Sequence, residues 1–300
     1  MTEYIIQQII NALSVGSEYA LLALGLAIVY SIVGLVNFAH GEMITVAGFA
    51  MYFAIILFVP NPWLLLAIGL VVATITAVVF ERVAFRAIRN APVNTGMLTA
   101  FGVSIIIQNA FVIFVATRPR PVQSPAFLGE QIFLGPIRLP VLQVLETGVT
   151  LVAILALVAL LRFTTIGLAM RAAAKDFTTV RLMGIRANRV IYVAFLISGF
   201  LAGIAAIFIL SRRGAVDPFM GFVPVLKAFV ACVVGGLGSL PGAVLGGLLL
   251  GVCEVFLQAT LPAEAAAYRD ALVFAVVGLI LVRFSQGLLG RTTELGDKES

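Results

Sequence analysis

Residues Tyr19–Phe58 read YALLALGLAIVYSIVGLVNFAHGEMITVAGFAMYFAIILF. Two apolar runs of membrane length flank one short polar cluster, NFAHGE at 37–42, which holds the chain's only histidine, His40. A bilayer's hydrocarbon core is about 30 Å thick and takes about 20 apolar residues per helical crossing. Neither run alternates polar with apolar residues, so each reads as a helix rather than a barrel strand. The stretch therefore predicts two crossings joined by a break.

The same pattern continues along the chain. Apolar spans are predicted at 18–36, 43–59, 63–81, 97–116, 141–161, 190–210, 223–239, 241–258 and 271–289. Composition agrees: 62% of the 300 residues are hydrophobic and 11% charged, whereas a soluble domain carries about 25% charge. Before the first span, IIQQIINALSVGS at 5–17 puts Ile5, Ile6, Ile9, Ile10 and Leu13 on one face and Gln7, Gln8, Asn11 and Ser14 on the other. It reads as a short amphipathic helix at the interface, with extension of the first span or a separate crossing as the alternatives. The fold expected is all-α: a polytopic helical membrane protein with eight or nine transmembrane helices plus this short helix, in one transmembrane domain over 1–300. In GGLGSLPG, 235–242, a breaker separates two spans. It predicts a hairpin turn, at the surface or within the protein.

Basic residues orient the spans. Loop 82–96 holds Arg82, Arg86 and Arg89. Loop 162–189 holds Arg162, Arg171, Lys175, Arg181, Arg186 and Arg189. The tail 290–300 holds Arg291 and Lys298, with Arg283 just inside the last span. By the positive-inside rule these segments and the C-terminus are cytoplasmic. Arg118, Arg120 and Arg138 in the proline-rich loop 117–140, with Arg212, Arg213 and Arg269, fall on the other side. The net charge of +5 thus reflects orientation, and no nucleic-acid partner is expected. The first basic residue is Arg82, so no basic segment of a cleavable signal precedes the first span.

Enzyme chemistry finds few parts here. One histidine excludes a paired-His zinc motif, and Cys232 and Cys253 have no metal-type spacing, so no metal site is expected. No Gly-Lys dipeptide occurs, so the chain has no Walker A loop for ATP. Loop 162–189 stands out by length. Helix formers dominate 168–183, and Gly184 is placed to stop a helix. Leu168, Ala172, Leu182 and Met183 are apolar anchors, with Arg171, Lys175, Arg181 and Arg186 around them. Such a segment suits a groove on a partner protein; an ordinary charged loop is the plainer reading. Gly199 with Gly203, Gly242 with Gly246, and Gly247 with Gly251 form small-xxx-small pairs. They permit close helix packing, within the chain or against a second membrane subunit.

Four stretches carry a family resemblance: GSEYALLALGLAIVYSIVGLVNFAHGEM at 16–43, RAAAKDFTTVRLMGIRANRV at 171–190, GFVPVLKAFVACVVGGLGSLPGAVLGGLLLGVCE at 221–254, and VFAVVGLILVRFSQGLLGR at 273–291. The sequence resembles the inner-membrane permeases of bacterial branched-chain amino-acid ABC transporters, of the high-affinity leucine/isoleucine/valine type, on the first of two permease subunits. The resemblance implies an importer in which this chain and a second homologous permease form the pathway. Two cytoplasmic ATPases bind the ATP, so no cofactor is expected in this chain, and an extracytoplasmic solute-binding protein delivers the substrate. It also implies that loop 162–189 docks on an ATPase. Permeases for urea or short amides belong to the same family; a passive channel or an ion-coupled transporter is the rival class.

The polar cluster then has two readings. Asn37, His40, Gly41 and Glu42 line a route for a passing zwitterion near the cytoplasmic end of the first spans. Alternatively, Gly41 ends one helix, Asn37 caps the turn, and His40 and Glu42 satisfy backbone groups freed by the break. Glu254 either reaches the interface or finds a partner within the protein.

Overall fold

The computed structural model describes residues 2–57, 61–88, 91–115, 117–122, 125–134, 137–283 and 287–289. The span ends predicted at 58–59, 116 and 284–286, Arg89, and the tail with Arg291 and Lys298 lie outside the described residues.

Among the described residues, nine helices answer the nine predicted spans. They are α1 (Thr2–Val33), α2 (His40–Leu57), α3 (Pro62–Phe80), α4 (Val93–Phe114), α5 (Val141–Phe163), α8 (Ala187–Arg213), α9 (Phe222–Gly235), α10 (Leu240–Thr260) and α11 (Arg269–Arg283). Seven are long and apolar enough to cross a membrane; α9, at 14 residues, and α11, at 15, are shorter. A π-helical turn, Glu81–Phe85, prolongs α3. The loop between α5 and α8 carries α6 (Thr165–Ala173) and α7 (Phe177–Leu182).

The separate amphipathic helix at 5–17 does not form. The chain runs as one 32-residue helix from Thr2 to Val33, the extension that was an alternative reading. Nothing between Ile5 and Glu18 breaks a helix, and Gly16 is held by packing: a Cβ there would meet the Leu248 backbone of α10. The polar face finds a partner in α5, where Gln143 Nε2 donates to Asn11 Oδ1 at 3.1 Å. The apolar face, with Ile5, Ile9 and Leu13, is exposed, as lipid contact requires. Further along, α1 is the buried axis of the bundle and packs on α5, α8, α9 and α10.

Glycines let the helices approach. Gly199 and Gly203 of α8 receive Ala73, Ala77 and Leu70 of α3. On α10, Gly242 and Gly246 meet Gly235 and Ala231 of α9, while Gly247 and Gly251 meet Ala20 and Gly16 of α1. All six glycines therefore pack against helices of the same chain. The 235–242 breaker turns α9 into α10 as a hairpin, with Gly236 and Gly238 at positive φ and the Ser239 hydroxyl accepting from Gly242 N.

Loop 117–140 contributes the little sheet present among the described residues. Strand β1 (Arg120–Pro121) pairs with β4 (Ala215–Val216), and β2 (Gln131–Leu134) with β3 (Ile137–Pro140). The single helix expected over 168–183 is two. The Thr164 hydroxyl caps α6 by accepting from Gly167 N, and the chain breaks at Ala174–Asp176 before α7. An Asp ahead of the new helix suits an N-cap, where carboxylates are favoured over continuation. Gly184, at φ +79°, terminates α7, as a residue without a Cβ can.

Candidate transport pathway and partner surface

The break in the first polar cluster lies at 34–39, not at Gly41. Gly34 takes φ +75° and its N–H still reaches Tyr30 O, closing α1. His40 then begins α2, so Gly41 is inside a helix, where its backbone abuts Gly221. Asn37 closes the turn with its backbone carbonyl, which accepts from His40 N at 3.1 Å. Its side-chain amide has no hydrogen-bond partner among the described residues. His40 and Glu42 do not serve freed backbone groups. His40 Nδ1 is 3.1 Å from the Ser198 hydroxyl of α8. Glu42 Oε1 accepts from Ser104 Oγ at 2.7 Å and Gln108 Nε2 at 2.6 Å, both on α4.

These partners set the depth of the cluster. Ser104 and Ser198 lie near the midpoints of α4 and α8, and the His40 ring abuts Gly25, well inside α1. The chain thus folds back into the bundle after α1, and the cluster sits at mid-helix level rather than at the end of the spans. Asn37, His40 and Glu42 are all buried.

Two further ionic groups lie inside the bundle. Arg212 of α8 pairs with Glu18 of α1 at 3.2 Å and with Glu146 of α5, while Ser14 Oγ donates to Glu146. Lys227 of α9 reaches Glu254 of α10 at 2.8 Å, the Tyr19 hydroxyl at 3.0 Å and Asp270 of α11 at 3.2 Å. Tyr19 Oη also donates to Glu254, and Arg269 lies 3.5 Å from its other oxygen. Glu254 therefore has partners in the protein. A charge in this setting is tolerated when paired and hydrogen-bonded. Glu18, Glu146 and Lys227 escaped the sequence reading, although an ionisable residue within an apolar run is itself the signal. A cavity of about 80 Å³ between the groups is lined by Glu18, Tyr19, Arg212 and Lys227.

At the end of the bundle bearing α6 and α7, Leu182 and Met183 are 83% and 75% exposed, and Leu168 is exposed as well. Ala172 is partly packed against the core. The basic residues separate: Arg171 and Lys175 line a cavity of about 760 Å³ beside Tyr30 and Gly238, whereas Arg181 and Arg186 line another near the end of α3.

A helical bundle with membrane-length spans, ion pairs across its helices and an exposed apolar tip at one end belongs to the class of polytopic membrane proteins. The family is more specific. The family of branched-chain amino acid transport system permease components matches residues 8–281. The high-affinity branched-chain amino acid transport system permease proteins LivH of Salmonella typhimurium and of Escherichia coli are each 36% identical over 96% of this chain and 96% of their own length. The corresponding BraD of Pseudomonas aeruginosa is 34% identical over 95% of this chain and 96% of its length. The chain belongs to this permease family, and the relatives named here are transport system permease proteins.

Proposed function

We propose that the chain is the permease subunit of an ATP-binding-cassette importer for branched-chain amino acids in the bacterial inner membrane. It forms the pathway with a second homologous permease, is driven by two cytoplasmic ATPases that hold the ATP, and receives solute from an extracytoplasmic binding protein. The observation that carries this reading is the family match running from α1 into α11. The exposed Leu182–Met183 tip supports an ATPase contact there: a chain without a phosphate loop needs a motor, and large apolar side chains at a helix end suit its groove. Arg171, Lys175, Arg181 and Arg186 surround that contact, and Gly184 shapes its turn. The cluster at 37–42 joins α2 to α4 and α8 at mid-bundle, where movement between those helices would change access to the pathway.

Proteoliposomes carrying the chain with its co-purified partners should accumulate leucine, isoleucine or valine only with ATP on the ATPase side and binding protein on the other. Uptake without ATP, ATP turnover by the purified chain alone, or uptake of urea or acetamide in place of these amino acids would each refute the assignment.

A further inference from the structure

Two carboxylates share one guanidinium where α1, α5 and α8 meet. Arg212 of α8 stands 3.2 Å from Glu18 of α1 and also pairs with Glu146 of α5. The neighbouring ionic groups balance: Lys227 and Arg269 face Glu254 and Asp270, and Arg213 faces Asp217. The Arg212 group is left with one negative charge in excess, and both of its carboxylates are buried. An ion pair that only tied helices together would need one carboxylate. Among the described residues, neither Glu18 Oε2 nor Glu146 Oε1 has a hydrogen-bond partner, and a buried carboxylate oxygen without a donor is costly. Glu18 has room beside it for a donor. It lines the cavity of about 80 Å³ between the ionic groups, which is more than the space one water needs. Arg213 lines the same cavity. Its side chain is 40% exposed and 3.7 Å from Asp217, too far for a hydrogen bond. Ile209, Val223 and Pro224 supply the apolar lining.

We propose that this cavity receives the head group of a free α-amino acid with an aliphatic side chain, its ammonium on Glu18 and its carboxylate on Arg213. The assignment rests on the amino-acid import proposed above and names where on this chain the amino acid is held. The ammonium supplies the missing cation and donates to a carboxylate oxygen that lacks a donor. A guanidinium fork donates two parallel hydrogen bonds to a carboxylate. Ile209 and Pro224 are buried, while Val223 is exposed and forms an apolar rim on which a branched side chain can rest. A bare cation would neutralise the excess charge but would use neither Arg213 nor the apolar lining. A simple anion would be repelled by the two carboxylates. The position along the bundle agrees. Gly214 and Val216, just after Arg213, pair with Val122 and Arg120 of loop 117–140. The cavity therefore lies toward the end opposite α6 and α7, where a binding protein would deliver solute.

The test uses the assembled transporter with its binding protein and a diazirine analogue of leucine. Light should attach the analogue to the segment 209–227, read by mass spectrometry of the digested chain. Excess leucine should suppress the adduct. 4-Methylpentanoate, which lacks the ammonium, and 3-methylbutylamine, which lacks the carboxylate, should not. Glu18→Gln should lower both the adduct and ATP-driven leucine uptake about tenfold or more, since a charge-assisted hydrogen bond is lost. Its melting temperature should hold or rise, because the excess charge is gone while Arg212 keeps Glu146; a purely structural carboxylate would lower it. Val223→Trp, at an exposed position, should block labelling by filling the rim, without touching an ion pair. Arg118→Gln, in the loop at the same end, should leave labelling and uptake intact. Four results in a transporter that imports leucine would overturn the site alone: adducts confined to other segments, equal competition by either half-molecule, full labelling of Glu18→Gln, or full labelling of Val223→Trp. An unaltered transporter that imports no branched-chain amino acid would overturn the import reading, and the site with it.

Discussion

Lys227 carries an ammonium into the bundle, with a side chain only 6% exposed, and stands 2.8 Å from Glu254. Removing one member leaves the other charge with one partly exposed partner, Asp270 for Lys227 or Arg269 for Glu254, at a cost toward the lower end of the about 3–5 kcal/mol of a broken buried pair. Lys227→Met and Glu254→Gln should each lower stability on that scale. The double variant should lose clearly less than the sum, because neither stranded charge remains. Thermal unfolding of the purified full-length variants measures the cycle; additive losses would show that the two groups are not coupled. The sequence exposes Glu254 as an acid in an apolar run, but it does not say whether its carboxylate meets water or a lysine 27 positions away.

At the scale of the element, α7 differs from every membrane-length helix. Its six residues end in a tip with two large apolar side chains facing outward. If that tip is the ATPase contact, Leu182→Asp with Met183→Asp should weaken ATPase retention at least tenfold, since a buried interface anchor is worth about 2 kcal/mol or more. Because both positions are exposed in the chain, its amount in membranes and its melting temperature should change little. Co-purification and ATP-driven uptake read the effect. Undiminished uptake with normal ATPase retention would remove α7 from the contact. Helix propensity makes 168–183 read as one element; the break at Ala174–Asp176 divides it, and Arg171 and Lys175 line a different cavity from Arg181 and Arg186.

For the molecule as a whole, the alternation of helices places loop 117–140 and the α6–α7 segment at opposite ends of the bundle. A single cysteine at Phe133 of β2 and one at Met183 should therefore label from opposite sides. With Cys232 and Cys253 replaced, an impermeant maleimide should modify Phe133→Cys in cells whose outer membrane is permeabilised. Met183→Cys should react only in inverted vesicles. Labelling of both from one side would overturn the topology. The charge distribution supports the sidedness, since Arg162 through Arg189 concentrate between α5 and α8.

Apolar run length and the scarcity of charge within the runs determined the helical membrane fold and, among the described residues, where its long helices lie. These features are local or compositional, and a bilayer reads them directly. Contacts distant in sequence were decided by tertiary structure alone. The stretch 5–17 could have been a separate helix at the interface, yet α10 packs over Gly16 and α1 runs through. NFAHGE could have been a turn at the membrane surface, yet Ser104, Gln108 and Ser198 hold it at mid-bundle. The glycine pairs could have faced a second subunit, yet they meet α1, α3 and α9 of the same chain. In each case the residue type permits several neighbours. Only the packed bundle selects one, because a buried polar group must find its hydrogen bond and a bare glycine surface must find a helix close enough to fill it.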